Sequence, residues 1–169
     1  LRPWGEAAKH TDTLVVPFLL SDVPVVTWWP TTPPVCPSTS PLGQLASTRI
    51  TNTPALDDPV TALKALAPAF TPGDIDLAWT RITLWRAMVA STLDPVLREG
   101  AVHGVVIAGE PENASIALMI RWLALRTEVA VEQVDVPGFS GIASITVTTP
   151  SGEIVIARMD QERAAITRP

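Results

Sequence analysis

Chemistry in this chain has to come from a short list of side chains. His10 and His103 are the only histidines, and neither has a visible partner along the sequence for general-base work. His10 and Asp12 stand two apart, but two ligands fall short of the three or four a metal site needs. The run Gly138-Phe139-Ser140-Gly141 approaches a nucleophile elbow. Ile142 stands where the second glycine is required, and a strand follows instead of a helix, so a Gly-rich turn is its ordinary reading. Asp74 and Asp76 resemble a carboxylate pair. Two apart on a helix they would point away from each other, and capping with dipole complementarity accounts for them. Glu110 and Glu112 lie in a strand-to-helix loop, where α/β proteins tend to bind ligands. The helix start around Asn113–Ser115 could take an anion there, although two carboxylates would oppose a phosphate. Asn113-Ala114-Ser115 also matches a glycosylation acceptor, which is idle without secretion. No phosphate loop and no GxGxxG is present. No catalytic residue, cofactor site or metal site is assigned.

Recognition chemistry is better represented. Six tryptophans and no tyrosine is an unusual balance. Trp28 and Trp29 are adjacent in a run that reads as a strand, so they face opposite sides. One fits a core; the other needs cover from a helix, a loop or a partner, and Trp is enriched in binding hot spots. Arg81 and Arg86 lie off the apolar stripe of a long helix. They either pair with acidic neighbours on a solvated face or reach a partner's carboxylate or phosphate. Trp29, Asp76, Arg81 and Arg86 are the candidate partner-binding residues.

These residues need elements to hold them. Trp4 to Leu20 is ambiguous: Leu14, Val15, Phe18 and Leu19 have helical spacing, Asp12 could cap the start, and Pro17 would kink or end the helix. Val23–Trp29 reads as a buried strand. Pro30–Ser47, with Pro30, Pro33, Pro34, Pro37 and Pro41, reads as a long loop, functional or mobile. A short strand is expected around Thr48–Asn52. Asp57-Asp58-Pro59 starts a helix to about Leu66. Pro72-Gly73-Asp74 starts the next, with Trp79, Ile82, Val89 and Leu93 inward and Trp85 beside them. Strands follow at His103–Ala108 and Val129–Val136, with a helix through Arg126 between them. Pro150-Ser151-Gly152 joins Ile142–Thr149 to Glu153–Arg158 as a hairpin, and Ala164–Thr167 adds an edge strand. The expected class is α/β: a mixed sheet, parallel at first, with an antiparallel C-terminal meander and helices packed on it.

Composition narrows the function classes. A chain of 169 residues suits one domain and can bury roughly 70% of its unfolded surface. A 47% apolar, 17% charged composition argues against disorder. Net charge −5 repels nucleic acid and acidic membranes. Cys36 is alone, which excludes an internal disulfide and Cys-based zinc and points to a reducing, cytoplasmic setting. Apolar runs are too short to span a bilayer. The chain opens on Leu1 without a leader pattern, which suggests a fragment of a longer protein.

Several blocks together resemble the glucose-6-phosphate dehydrogenase assembly protein (OpcA) family. They are Leu14-Val15-Val16-Pro17-Phe18-Leu19-Leu20, Asp22-Val23-Pro24-Val25-Val26-Thr27-Trp28-Trp29-Pro30, Pro41-Leu42-Gly43 and Arg49-Ile50. The most specific block is Thr71-Pro72-Gly73-Asp74-Ile75-Asp76-Leu77-Ala78-Trp79-Thr80-Arg81-Ile82-Thr83-Leu84-Trp85-Arg86. The resemblance implies a non-catalytic factor that promotes assembly and activity of glucose-6-phosphate dehydrogenase in the oxidative pentose phosphate pathway. It implies no catalytic residues and no cofactor. The Arg-rich, Lys-poor balance suits an actinobacterial member, one in which an N-terminal region is missing. Cyanobacterial relatives are associated with redox control through cysteines, but with Cys36 alone no dithiol can form within this chain. Two rivals stand beside this reading. One is a sugar-phosphate binding or hydrolysing α/β protein with a pocket near Gly109–Ser115. The other is a structural domain that only holds its missing partner half.

Overall fold

The computed structural model describes residue 5 and residues 10–98, 102–160 and 163–169, with Arg98 described by its backbone alone. The part of the ambiguous first stretch from Trp4 to Lys9, apart from Gly5, lies outside the described residues. The chain divides into two compact units, Leu1–Leu77 and Ala78–Pro169.

The first unit holds α1 (Thr11–Val15), β1 (Val26–Trp29), α2 (Pro41–Leu45), β2 (Thr48–Thr51), α3 (Pro59–Leu66) and β3 (Asp74–Asp76). Asp12 sits inside α1 and the cap position falls to His10, whose side chain makes no capping bond. A 3-10 turn at Val16–Phe18 carries Pro17 and closes that helix, because Pro17 cannot donate to the ladder. The expected Pro30–Ser47 loop contains a 3-10 turn at Pro37–Thr39 and then α2. There Ser40 Oγ accepts from the Gly43 amide at 3.1 Å, and Pro41 takes the first turn. Asp58 caps α3 as its sequence predicts, accepting from the Thr61 amide at 3.0 Å. The three strands are parallel in the order β1-β2-β3.

The buried-strand expectation for Val23–Trp29 fails. Val26 is 54% exposed and Trp28 57% exposed. The register places Trp28 beside Ile50 and Ile50 beside Ile75, so one sheet face presents a row of apolar side chains outward. An apolar run reports what a strand would gain from burial, not whether a layer covers it. Among the described residues, the buried positions of this unit are small or polar: Pro37, Gly43, Ala46, Arg49, Thr51 and Thr53.

The second unit holds α4 (Leu77–Arg81, entered from the last residue of the first unit), α5 (Thr83–Arg98), β4 (Gly104–Gly109), α6 (Ala114–Thr127), β5 (Val131–Asp135), β6 (Ile142–Thr149), β7 (Gly152–Arg158) and β8 (Ala164–Thr167). Its sheet runs β5-β4-β6-β7-β8. β4 and β5 are parallel across α6, and the β6–β7–β8 meander is antiparallel. The α/β class with a parallel start and an antiparallel end is therefore present, divided between two sheets. Alternation along β4, β6 and β7 puts Val105, Ile107, Ile145, Val147, Ile154 and Ile156 on one face. Ile82, Trp85, Val89 and Leu93 of the α4–α5 region and Ile116, Met119 and Leu123 of α6 join them in one core. Each such fully buried aliphatic side chain contributes about 1.5–3 kcal/mol.

The spacing predicts one helix from Asp74 to Leu93, and the structure breaks it into β3, α4 and α5. Gly73 turns the chain at φ +95° before β3, a conformation that side chains resist. The two aspartates are then taken up by groups on β2 and just beyond it, which outweighs their value at a helix start.

Candidate functional site

The Thr71–Arg86 block separates into two devices. Its first half is an internal clamp. The Arg49 guanidinium, nearly buried, ion-pairs through Nε with Asp74 Oδ1. Its Nη1 donates to the Ala46 carbonyl at 3.0 Å, and Nη2 donates to the Pro72 carbonyl at 2.6 Å and to Thr71 Oγ1 at 3.3 Å. The other Asp74 oxygen accepts from the Thr71 amide at 2.8 Å and the Thr71 hydroxyl at 3.2 Å. Asp76 accepts from Thr51 Oγ1 at 2.6 Å, from Thr53 Oγ1 at 2.8 Å and from the Thr53 amide at 3.2 Å. These bonds fasten β3 to β2, as an Arg fork and charge-assisted acceptors do best in a partly dry setting. Asp76, a candidate for partner binding, thus has its carboxylate committed inside the first unit.

The second half is a surface. Trp79 on α4 is 36% exposed, against the inward position its spacing suggests. The Arg86 guanidinium carbon lies 3.8 Å from the centre of the Trp79 ring. Arg86 Nη2 donates to Thr83 Oγ1 at 3.1 Å, while Arg86 Nε is buried without a hydrogen-bond partner. Trp79, Thr83 and Arg86 are spaced four and three apart, which aligns them on one flank of the helix. Arg81 is exposed and five residues from Arg86, about 140° round the axis, so the two candidate arginines do not share a patch. Trp29 is half-buried, and its neighbour Trp28 is the tryptophan that faces outward.

The remaining candidates are ordinary structure. Asn113 Oδ1 caps α6, accepting from the Ser115 and Ile116 amides at 2.9 and 3.1 Å. Glu110 Oε2 accepts from Asn113 Nδ2 and from the Gly141 amide, both at 2.8 Å. The donors that would hold an anion are spent on the chain's own side chains, with a carboxylate beside them. A Cβ on Gly109 would sit 2.5 Å from the Gly141 carbonyl, so strand end and loop are in close contact there. Ser140 is exposed in the turn before β6, and its carbonyl accepts from Arg158 Nη1 at 3.0 Å. His10 and His103 are both exposed. Among the described residues no cluster of three metal-ligating side chains exists. The Thr39 and Ser38 hydroxyls hold the half-exposed Cys36 thiol below its ordinary pKa. Among the described residues no helix is long and apolar enough to cross a membrane.

Sequence reasoning misses Arg49, Thr51 and Thr53 as the partners of the two aspartates. The alternation of Arg49, Thr51 and Thr53, polar at every second position of a short strand and its exit, is the available signal.

Two family models match the chain in order. Residues 1–68 match the N-terminal domain of the glucose-6-phosphate dehydrogenase subunit family. Residues 72–169 match the C-terminal domain of the same family. The junction between the two matches falls just before Gly73 and the clamp aspartates. No curated protein and no solved structure matches the chain.

Proposed function

The chain belongs to the glucose-6-phosphate dehydrogenase assembly (OpcA) family, and from that premise we propose that it is a non-catalytic assembly factor for that dehydrogenase. The observation that carries the reading is the pair of domain matches, in order, across almost the whole chain. The chemistry of the residues is compatible with it. The carboxylates that look most like a reaction centre, Asp74 and Asp76, are consumed in holding two strands together. Such a protein acts by mass action: it binds the active or oligomeric enzyme better than the inactive form and shifts that equilibrium. It works in the reducing interior of the cell, where the lone Cys36 stays a thiol.

The test is co-purification with the native dehydrogenase, followed by enzyme activity and oligomer size with and without added protein. Capture with a rise in activity or size supports the proposal. Neither capture nor activation, with a folded protein at concentrations well above the enzyme's, refutes it.

A further inference from the structure

We infer that Arg86, stacked on Trp79, is a preformed receptor for an acidic side chain of the protein partner. The inference rests on the assembly reading and names the chemistry of one contact within it.

Four observations carry it. Between Leu77 and Leu93 the only charged side chains are Arg81 and Arg86, so from Leu77 to Leu93 no carboxylate competes for Arg86, in a chain of net charge −5. The guanidinium is already oriented: it lies 3.8 Å from the Trp79 ring centre and donates to Thr83. Its donor capacity is underused. Nη2 makes a single bond to an exposed hydroxyl, Nη1 makes none, and among the described residues no carboxylate ion-pairs with it; Nε is buried and lies out of a partner's reach. Finally, its outer side is open, because Ala87 and Ala90 on the same flank are exposed and too short to cover it.

The molecule contains its own comparison. Arg126 also lies near a tryptophan, but at 5.7 Å from the Trp122 ring centre, and it is exposed in the last turn of α6. There a cation is explained by the helix dipole alone. Arg158 makes one bond, from Nη1 to the Ser140 carbonyl, and its guanidinium carbon lies 5.4 Å from the Phe139 ring centre. Of these three only Arg86 is stacked as closely as 3.8 Å and held by a side-chain hydroxyl at the same time. Fixing the fork in advance lowers the ordering cost of a charge-assisted contact, and an Arg–Trp pair is the composition of a binding hot spot. Nucleic acid is a poor occupant for a chain of this net charge, so the negative group is assigned to Asp or Glu of a protein.

The experiment measures binding of the purified dehydrogenase to the unaltered protein and to the variants Arg86→Gln, Arg86→Lys and Arg126→Gln, at low and high salt. Thermal melts establish that each variant is folded. Arg86→Gln is expected to weaken binding at least about tenfold and to flatten its salt dependence. Arg86→Lys keeps the charge but loses the fork, and falls in between. Arg126→Gln binds within about twofold of the unaltered protein. The inference is overturned if folded Arg86→Gln binds normally, or if it binds more weakly with the salt dependence intact. If the unaltered protein forms no complex at all, the assembly reading itself fails and takes this contact with it.

Discussion

Removing the Asp74 carboxylate should come close to unfolding the first unit. The Arg49 and Asp74 side chains are only 10% and 9% exposed, so Asp74→Ala strands a guanidinium in a dry site. It also takes the acceptor from the Thr71 amide and hydroxyl. Breaking a buried pair from one side costs about 3–5 kcal/mol. A domain has about 5–15 kcal/mol in total. Among the described residues of this unit the apolar reserve is small, since the buried positions are Pro37, Gly43, Ala46, Arg49, Thr51 and Thr53. For a unit of this length each kcal/mol moves the midpoint by about 4–8 °C, so a fall of more than about 10 °C is expected. Hydrogen exchange provides the assay. The Arg49 amide, bonded to the Gly73 carbonyl at 2.8 Å, should exchange at least about a hundredfold faster in the variant. The double variant Arg49→Met/Asp74→Leu should lose less than Asp74→Ala, because it leaves no charge buried. If Asp74→Ala costs under about 1 kcal/mol and the Arg49 amide keeps its protection, the clamp does not hold this unit together.

Three further outcomes follow from the same geometry. Gly73→Ala should cost at least about 2 kcal/mol in a denaturant melt, since φ is +95° and the new Cβ would meet the Ser47 carbonyl at 2.5 Å; an unchanged midpoint contradicts that turn. Ile107→Ala, at a fully buried position, should cost about 2–5 kcal/mol, while Leu125→Ala, at 78% exposure, should stay within about 0.5 kcal/mol. Equal losses would mean that the core is misplaced. Asp58 has a lowered pKa, first because the Thr61 amide donates to its carboxylate. A lowered folded pKa stabilises α3 above the ordinary carboxylate range and ceases to do so as pH falls through the shifted value. The Thr61 amide resonance should therefore move on acidification in the native chain and stay still in Asp58→Asn, and an identical pH profile in both would refute the cap.

Much of the second unit is legible because its strands are short apolar or alternating runs bounded by glycine and proline turns. The alternation Ile145-Thr146-Val147-Thr148 marks a half-buried strand, and Val105-Val106-Ile107-Ala108 is a short continuous apolar run closed by Gly109 that reads as a strand without telling its two faces apart. Asn113 at the head of α6 and Asp58 at the head of α3 announce their helices by cap chemistry alone. The first unit is less legible. Its Pro30–Ser47 segment has prolines suited to helix first turns as well as to loops, and two of them, Pro37 and Pro41, start a 3-10 turn and α2. The two faces of β1 cannot be told apart locally, so the sequence favours Trp29 where Trp28 is the outward residue.

By itself the sequence determined the class of the fold, the lack of a recognisable reaction motif and, through the Thr71–Arg86 block, the family. Those depend on residue type, period and order, which are written along the chain. Only the tertiary structure decided what that block does. Asp74 and Asp76 meet Arg49, Thr51 and Thr53, which lie 23 to 25 residues earlier, and no local rule pairs groups so far apart. Desolvation of that cluster set the value of each bond, and it turned an apparent helix start into the strand that closes a sheet.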